Sequence, residues 1–200
     1  MDPAESVIAQ KIALRDQLLT ERRRQSLATL VSNASAIATH LLNTEEVRRA
    51  ATVAAYISVR NEPGTGALIE ALDGLGRRVI LPVLLADNDL DWAEYTGADG
   101  LAPAGRGLLE PVGRTLGIDA IATADVVLCP GVAVDRTGMR LGRGGGSYDR
   151  ALGRIPVGTF VCTLLYDGEV VAHVPADVHD RPVSAVVTER GVTRFPTAPK

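Results

Sequence analysis

The segment from Cys129 to Leu152, CPGVAVDRTGMRLGRGGGSYDRAL, combines glycine, arginine and aspartate in a spacing suited to chemistry on phosphate. Glycines let main-chain N–H groups approach a ligand closely, because no side chain intervenes. A helix beginning near SYDR would add unpaired N–H groups that favour an anion. Arg140 and Arg143 can bind phosphate oxygens, and Asp149 can share those oxygens through a magnesium ion. These residues predict a cradle for a nucleoside triphosphate.

The spacing of this segment matches neither of two common nucleotide motifs. No Gly-Lys-Ser or Gly-Lys-Thr closes it as in a Walker loop, and it departs from the dinucleotide fingerprint. On spacing alone, a tight turn with solvated charges remains an alternative to a phosphate site.

The elements that must position these residues are predicted from hydrophobic periodicity. Apolar residues predict helices over 4–23, 25–42 and 66–76, and strands over 51–59, 77–85, 90–96, 124–130, 159–166 and 184–189. The alternation over 90–96 indicates an edge or antiparallel strand, whereas 97–118 is an irregular loop that is either functional or contains a missed element. Strands alternating with helices predict an α/β fold of three layers, α/β/α. Its central sheet is mostly parallel with helices on both faces, in one domain over 1–200.

Composition narrows the possible partners. Lysine and arginine total 21 against 24 acidic residues, giving a net charge of −3, so we expect no nucleic-acid partner. No apolar run reaches the roughly 18 residues of a membrane helix, and we expect a soluble, cytoplasmic protein with no membrane partner. Cys129 and Cys162 lie in apolar runs without metal-site spacing and are expected to be reduced and buried.

The glycine-rich segment resembles the signature of the 5-formyltetrahydrofolate cyclo-ligase family, also called 5,10-methenyltetrahydrofolate synthetases. The family pattern runs Pro-Gly, an apolar segment, Phe-Asp, and then Arg-Leu-Gly-x-Gly-x-Gly-Tyr-Tyr-Asp. The resemblance extends to Lys11 and Arg15, to Asn61 and Glu62 after the first strand, and to residues 179–189. It covers essentially the full length, and the long signature carries most of its specificity.

The resemblance implies an ATP- and magnesium-dependent ligase of one-carbon metabolism. Such an enzyme cyclises 5-formyltetrahydrofolate to 5,10-methenyltetrahydrofolate, releasing ADP and phosphate, through phosphorylation of the formyl oxygen. Phosphoryl transfer of this kind asks a protein mainly for positioning and charge stabilisation, which cations, main-chain donors and a metal supply. The expected enzyme is a monomer, and its substrate carries one glutamate or several.

The resemblance also assigns the residues that contact ATP. Lys11 and Arg15 are one helical turn apart, so that both side chains can reach the ATP phosphates; without the family, two solvated basic residues would be the better interpretation. The remaining ATP-binding set is Arg140, Leu141, Gly142, Arg143, Gly144, Gly145, Gly146, Ser147 and Tyr148.

The resemblance assigns catalysis, folate binding and metal binding to a smaller set of residues. Arg143 and Tyr148 are the candidate catalytic residues, with Arg143 contacting the γ-phosphate or the formyl oxygen and Tyr148 beside the reactants. By resemblance, Glu62 and Tyr148 bind the folate, Glu62 through the pterin amide and amino groups. Asp149 binds magnesium, with Asp180 as the second ligand. Asp135, before an Arg-Thr-Gly turn, is interpreted as a turn residue.

Two departures from the family pattern concern aromatic side chains. Ser147 stands where the family has the first tyrosine of its pair, and Val134 stands where it has phenylalanine. An aromatic contact contributes about 0.5–1.5 kcal/mol beyond burial, so a weaker folate site is expected unless Trp92 or Tyr95 substitutes. The loop over 103–111 resembles the family's substrate-covering segment.

Two other functions remain open on the sequence. A folate or nucleotide sensor on the same scaffold would bind ATP without turnover, with Ser147 as the motivating change. A sugar-phosphate or acyl-CoA enzyme on a similar scaffold would show no dependence on folate.

Overall fold

The computed structural model describes residues 3–177 and 179–196. Its helices are α1 (Pro3–Arg23), α2 (Leu27–Leu42), α3 (Glu45–Arg49), α4 (Gly66–Gly74) and α5 (Ser147–Leu152). Its strands are β1 (Thr52–Ala54), β2 (Arg78–Leu84), β3 (Leu90–Glu94), β4 (Leu101–Pro103), β5 (Leu109–Pro111), β6 (Val126–Pro130), β7 (Ala133–Asp135), β8 (Arg140–Leu141), β9 (Phe160–Leu164), β10 (Val170–Val171), β11 (Ala185–Thr188) and β12 (Gly191–Arg194). Short 3-10 helices cover Ala98–Gly100, Gly105–Gly107, Ile118–Thr123 and Asp167–Glu169.

The main sheet has seven strands in the order β12-β11-β9-β6-β1-β2-β3. The inner strands pair in parallel, whereas β3 and β12 pair antiparallel to β2 and β11 at the two edges. The mostly parallel sheet predicted from the sequence is therefore confirmed, as is the antiparallel edge strand near residues 90–96. The carboxyl ends of β1, β2 and β6 lie side by side at one edge of this sheet.

Apolar side chains cover the main sheet on both faces. One face packs against α2, α3 and α4 through residues such as Leu41, Val47 and Leu68. The other packs against α5 and the 3-10 helix Ile118–Thr123 through Leu152 and Ile121. Helices on both faces follow from strands whose two faces are apolar, since each face must be removed from water. The three-layer arrangement matches the prediction.

The long N-terminal helix α1 packs against a small sheet of order β10-β7-β8. Leu18 joins Val132, Ala133, Leu141 and Val174 in a separate buried cluster. The helix is only partly apolar on its inward side, because Lys11 and Arg22 are buried there.

Two apolar side chains of α1 lie outside the core. Ile8 is 57% exposed and Ile12 is 51% exposed, although both fit the apolar period. The polar side of the helix faces inward instead, because its cations pair with carboxylates on neighbouring segments.

The irregular loop predicted over 97–118 contains a hairpin, β4–β5, which confirms the alternative of a missed element. The strand predicted over 51–59 is shorter, since only Thr52–Ala54 makes regular ladder contacts. No helix in the described part of the chain is long and apolar enough to cross a membrane.

Candidate functional site

The glycine-rich segment predicted to bind phosphate forms a wall between two cavities. The helix-side cavity, of about 730 Å³, lies between α1, this segment, Asp177 and residues 179–181. The sheet-end cavity, of about 390 Å³, lies at the carboxyl ends of β1, β2 and β6. Gly142, Gly144, Gly146 and Asp149 line both cavities. Ligands in the two cavities can therefore approach each other across main chain that has almost no side chains.

The wall depends on glycine at two positions. A Cβ atom at Gly142 would lie 2.9 Å from Arg140 Nη1, which is closer than a real side chain comes. Gly144 has φ +99°, a backbone conformation that favours glycine. These two residues let the segment pass close to arginine side chains and turn sharply into α5.

The helix-side cavity is lined by cations that the sequence analysis singled out. Arg15 Nε donates to the Gly142 carbonyl oxygen at 2.7 Å, so Arg15 is held against the glycine-rich wall. Lys11 Nζ donates to Asp177 Oδ2 at 2.8 Å and to Asp180 Oδ2 at 2.6 Å. Burial acts to lower the pKa of Lys11, but the two carboxylates outweigh it and raise that pKa. Lys11 is thus a fixed positive charge.

Asp149 and Asp180 line the same cavity, and each already has a cationic partner. Asp149 Oδ1 accepts from Arg140 Nη2 at 2.8 Å, while Asp180 Oδ2 accepts from Lys11 and from the Asp177 N–H. Among residues 3–177 and 179–196, no group of three His, Cys, Asp or Glu side chains is arranged to hold a metal. A divalent cation here would need phosphate and water as additional ligands, which is the arrangement that magnesium prefers.

Arg140 lies deeper than the other arginines. It is 3% exposed, lines the sheet-end cavity, and donates to the Pro130 carbonyl oxygen at 3.1 Å as well as to Asp149. Arg140 is therefore placed to hold Asp149 in position rather than to contact a phosphate.

Glu62 lies at the buried end of the sheet-end cavity and is 7% exposed. Its Oε2 accepts from the Val59 N–H at 3.0 Å within a turn closed by the Glu62 N–H and the Val59 carbonyl. Its Oε1 accepts from Arg143 Nε at 2.8 Å. The two residues that the resemblance assigned to folate and to phosphate therefore form an ion pair with each other.

Two buried hydroxyl groups in this cavity have no hydrogen-bond partner in the described structure. They belong to Tyr56 and Tyr148, both of which line the cavity. Burial raises the pKa of each well above its ordinary value, so both hydroxyls stay protonated. A buried hydroxyl without a partner is costly, and a polar ligand group would relieve that cost.

The sequence analysis missed Tyr56, because an aromatic residue at the end of an apolar strand looks like ordinary core. It also suggested that Trp92 or Tyr95 replaces the missing family tyrosine. The structure overturns that suggestion, since both lie in the core, at 0% and 6% exposure, and neither lines either cavity. Tyr56 lines the sheet-end cavity together with Tyr148.

Every site residue assigned from the sequence lines at least one cavity. Lys11, Arg15, Leu141 and Asp180 line the helix-side cavity alone, and Glu62, Arg140, Arg143, Gly145, Ser147 and Tyr148 line the sheet-end cavity alone. Asp135 lines neither. It accepts from the Thr137 N–H, the Thr137 hydroxyl and the Met139 N–H, which confirms its interpretation as a turn residue.

Comparison with known proteins gives one consistent result. The 5-formyltetrahydrofolate cyclo-ligase family matches residues 7–189 of the chain. A 5-formyltetrahydrofolate cyclo-ligase of Mycolicibacterium smegmatis is 40% identical over 190 residues, covering 91% of this chain and 95% of the relative. A protein of the same name from Haemophilus influenzae is 33% identical over 181 residues, covering 84% and 94%.

A solved structure shares the fold as well as the sequence. The NMR structure of Aquifex aeolicus 5,10-methenyltetrahydrofolate synthetase is similar with a TM-score of 0.80 and 27% identity, covering 95% of each chain. The similarity in fold therefore spans nearly the whole chain.

Proposed function

The chain belongs to the 5-formyltetrahydrofolate cyclo-ligase family, and we infer that it converts 5-formyltetrahydrofolate to 5,10-methenyltetrahydrofolate with hydrolysis of ATP. Within the site, the observation that best supports this function is the position of the signature segment. Its glycines separate a cationic cavity from a largely apolar one that ends in a buried carboxylate. The relatives reported above are named as enzymes, and none supports a sensor without turnover.

We propose that ATP binds in the helix-side cavity with its phosphates along the glycine-rich wall. Lys11 and Arg15 supply the positive charge, and main-chain N–H groups of residues 142–146 supply uncharged donors. The support is the fixed charge of Lys11 and the bond that holds Arg15 against Gly142. Ile8 and Ile12, exposed at the same cavity, offer an apolar surface for the rest of the nucleotide.

Magnesium, when bound, would neutralise charge on the phosphate oxygens. Asp149 is the residue we assign first, because it lines both cavities and Arg140 fixes its orientation. Asp180 is the second ligand, and it would have to exchange Lys11 for the metal. A site with one or two carboxylates completed by phosphate and water fits the usual magnesium ligand set.

The folate occupies the sheet-end cavity, with its pterin toward the buried end. A carboxylate such as Glu62 matches two adjacent N–H donors on the pterin, and the Tyr56 and Tyr148 hydroxyls are available to further polar groups. Apolar residues from the sheet ends, among them Ile57, Pro82 and Leu84, contact the flat rings.

The proposed reaction passes through phosphorylation of the formyl oxygen. That oxygen attacks the γ-phosphorus and ADP leaves; N10 then attacks the formyl carbon, the carbon–oxygen bond breaks, N10 loses its proton and phosphate departs. The protein's part is to bring the formyl oxygen into direct contact with the γ-phosphorus where the two cavities adjoin, at the residues that line both, and to stabilise the charge that develops there. Arg143, within that wall, is the group we assign to this charge.

Arg143 and Glu62 must separate before either can act. A pterin that donates to Glu62 replaces the guanidinium, and Arg143, 40% exposed and flanked by glycines, is then free to reach the transferring phosphoryl group. Folate binding at Glu62 and release of Arg143 therefore occur together, because the pterin replaces the guanidinium.

The activity is tested by following the absorbance of the methenyl product with ATP, magnesium and 5-formyltetrahydrofolate. Product formation that needs all three supports the proposed function. ATP binding without product, under conditions where a control cyclo-ligase works, would indicate a sensor instead. Arg24→Gln serves as a control variant, since Arg24 is exposed and lines neither cavity.

We further propose that residues 1–200 form one domain that acts as a monomer in the cytoplasm. The support is that Cys129 and Cys162 are both free and buried, as expected in a reducing compartment. Light scattering coupled to size-exclusion chromatography measures the oligomeric state directly.

A further inference from the structure

The turn that carries Glu62 has an uncommon backbone conformation. Arg60, inside the turn, has φ 53°, a value that side chains other than glycine seldom adopt. The Glu62 N–H donates to the Val59 carbonyl oxygen at 3.2 Å, and Glu62 Oε2 accepts from the Val59 N–H at 3.0 Å. A strained turn persists where the surrounding structure fixes it, so contacts from outside the turn help to position the Glu62 carboxylate.

Tyr166 makes such a contact from a distant part of the chain. Its hydroxyl donates to the Asn61 carbonyl oxygen at 3.2 Å, between residues 105 positions apart. Burial raises the pKa of Tyr166 to about 12, so the hydroxyl stays protonated and able to donate at neutral pH. Tyr166 is 3% exposed and lines neither cavity. It can therefore affect a ligand only through the turn that it contacts.

Tyr166 is itself held in place by an ion pair that involves α1. Its N–H donates to Glu169 Oε2 at 2.9 Å, and Glu169 pairs with Arg22 of α1. The Arg22 guanidinium also lies over the Tyr166 ring, 5.6 Å from its centroid, where the aromatic face attracts a cation. Both the main chain and the ring of Tyr166 are thus fixed, and its hydroxyl is directed at the turn.

We propose that Tyr166 is a positioning residue for Glu62, which it orients toward the substrate through the Asn61 carbonyl. This rests on the proposed function, which places the pterin at Glu62. A carboxylate that accepts from two adjacent N–H donors must face both at once, so its affinity for them depends on its orientation. Folate binding therefore depends on the Tyr166 hydroxyl, whereas ATP binding in the other cavity does not.

The test begins with Tyr166→Phe, which removes the hydroxyl and keeps the ring beneath Arg22. Calorimetry is expected to show a Kd for 5-formyltetrahydrofolate about three- to tenfold higher, the range that one intramolecular hydrogen bond contributes. KM for the folate rises by the same factor, while kcat and KM for ATP stay unchanged. Tyr95→Phe is the matched control, because Tyr95 is also buried and lines neither cavity. Urea denaturation confirms that both variants are folded.

A double-mutant cycle separates positioning of Glu62 from a general effect on the fold. In a Glu62→Ala background, adding Tyr166→Phe is expected to change folate affinity by less than about twofold, because no carboxylate is left to orient. Glu62→Asp is a second background for the same comparison, since its shorter side chain keeps a measurable charge but loses the reach to the Val59 N–H. A merely structural role of Tyr166 would lower folate affinity equally in every background.

Failure of the positioning role is distinguishable from failure of the proposed function. If Tyr166→Phe binds folate as the unsubstituted chain does, loses affinity equally without Glu62, or loses ATP affinity in parallel, the positioning role is wrong while the enzyme function stands. If the unsubstituted chain neither binds nor converts 5-formyltetrahydrofolate, the proposed function fails and the role of Tyr166 fails with it.

Discussion

At the scale of single residues, the pairing of Arg143 with Glu62 is the feature that most affects how the site works. Each carries a charge suited to a different reactant, and in the free protein each neutralises the other at 2.8 Å. Glu62 is almost fully buried, so leaving it unpaired would be costly. The ion pair holds the Glu62 carboxylate in a fixed position in the free protein.

Replacing Arg143 separates its catalytic role from ATP binding. Arg143→Ala is expected to lower kcat about 100-fold, the usual loss for a group that stabilises transition-state charge, while KM for ATP changes little. Steady-state kinetics measures both parameters, with Arg24→Ala as the exposed control. Equal losses in kcat and in ATP affinity would contradict a role confined to the transition state.

Ser147 offers a test of the missing aromatic side chain. It lines the sheet-end cavity, so Ser147→Tyr is expected to tighten folate binding by up to about tenfold through added aromatic contact, with turnover intact. Isothermal titration with 5-formyltetrahydrofolate gives the affinity. Weaker binding would show that the larger side chain blocks a cavity already completed by Tyr56.

At the scale of elements, the main feature of the segment between β8 and α5 is that its glycines carry no side chains. Three of its glycines line both cavities, and α1 lines one of the two. The helix and the wall are joined by the bond from Arg15 to Gly142, so a change in either element reaches the phosphate site.

Gly144→Ala tests the backbone of this wall. Gly144 has φ +99°, so alanine there is strained by about 1–3 kcal/mol and shifts the segment that contains the donors. Weaker ATP binding is expected by fluorescence titration or calorimetry. Gly158→Ala is a matched control, because Gly158 has φ +97° and lines neither cavity. If both variants lose ATP affinity equally, the effect is general strain and not the phosphate site.

A buried ion pair attaches α1 to the rest of the molecule. Arg22 Nε and Nη2 donate to the two Glu169 carboxylate oxygens at 2.6 Å, and Nη2 also donates to the Gly131 carbonyl oxygen. The two side chains are 2% and 6% exposed, so removing either one leaves an uncompensated buried charge.

Arg22→Ala is therefore expected to lower the free energy of unfolding by about 3–5 kcal/mol, measured by urea denaturation. Arg49→Ala removes an exposed ion pair with Glu45, at 80% and 66% side-chain exposure, and should change stability by less than about 0.5 kcal/mol. A similar small effect of Arg22→Ala would mean that water enters and solvates Glu169.

At the scale of the whole molecule, the main sheet brings distant segments to one edge. Residues 56–62, 82–84 and 130–131 follow or end parallel strands, and together they line the sheet-end cavity. Ligands commonly bind at the carboxyl ends of parallel strands, because chain connections leave crevices there. The N-terminal helix, Asp177 and residues 179–181 line a second cavity on the other side of the glycine wall.

Binding of ATP should stabilise the whole fold, because its cavity joins both ends of the chain. At a ligand concentration of about 100 times Kd, stability rises by about 2.7 kcal/mol, which raises Tm by roughly 5–10 °C for a chain of this size. A magnesium chelator should reduce the shift, and Asp149→Asn should make the shift insensitive to chelator. A thermal melt follows all three; a shift in Asp149→Asn that still depends on magnesium would exclude Asp149 as the main ligand.

The sequence by itself determined the layers and the mostly parallel sheet, and it predicted the residues that are proposed to bind phosphate. Apolar strands over 77–85, 124–130 and 159–166 indicate burial on both faces, and this local property survives folding unchanged. Glycine and arginine in the signature segment indicate the chemistry, since residue type alone sets which groups are available. The resemblance singled out Lys11, Glu62 and Asp149, and in the structure Lys11 lines the helix-side cavity, Glu62 the sheet-end cavity and Asp149 both.

Only the tertiary structure decided which charges neutralise each other and which face of α1 turns inward. The pairing of Arg143 with Glu62 spans 81 positions, and that of Arg22 with Glu169 spans 147. Such pairs depend on how strands and helices pack, which periodicity does not encode. For the same reason, the sequence offered Trp92 and Tyr95 as possible substitutes for the missing tyrosine, whereas the structure buries both in the core and places Tyr56 at the sheet-end cavity.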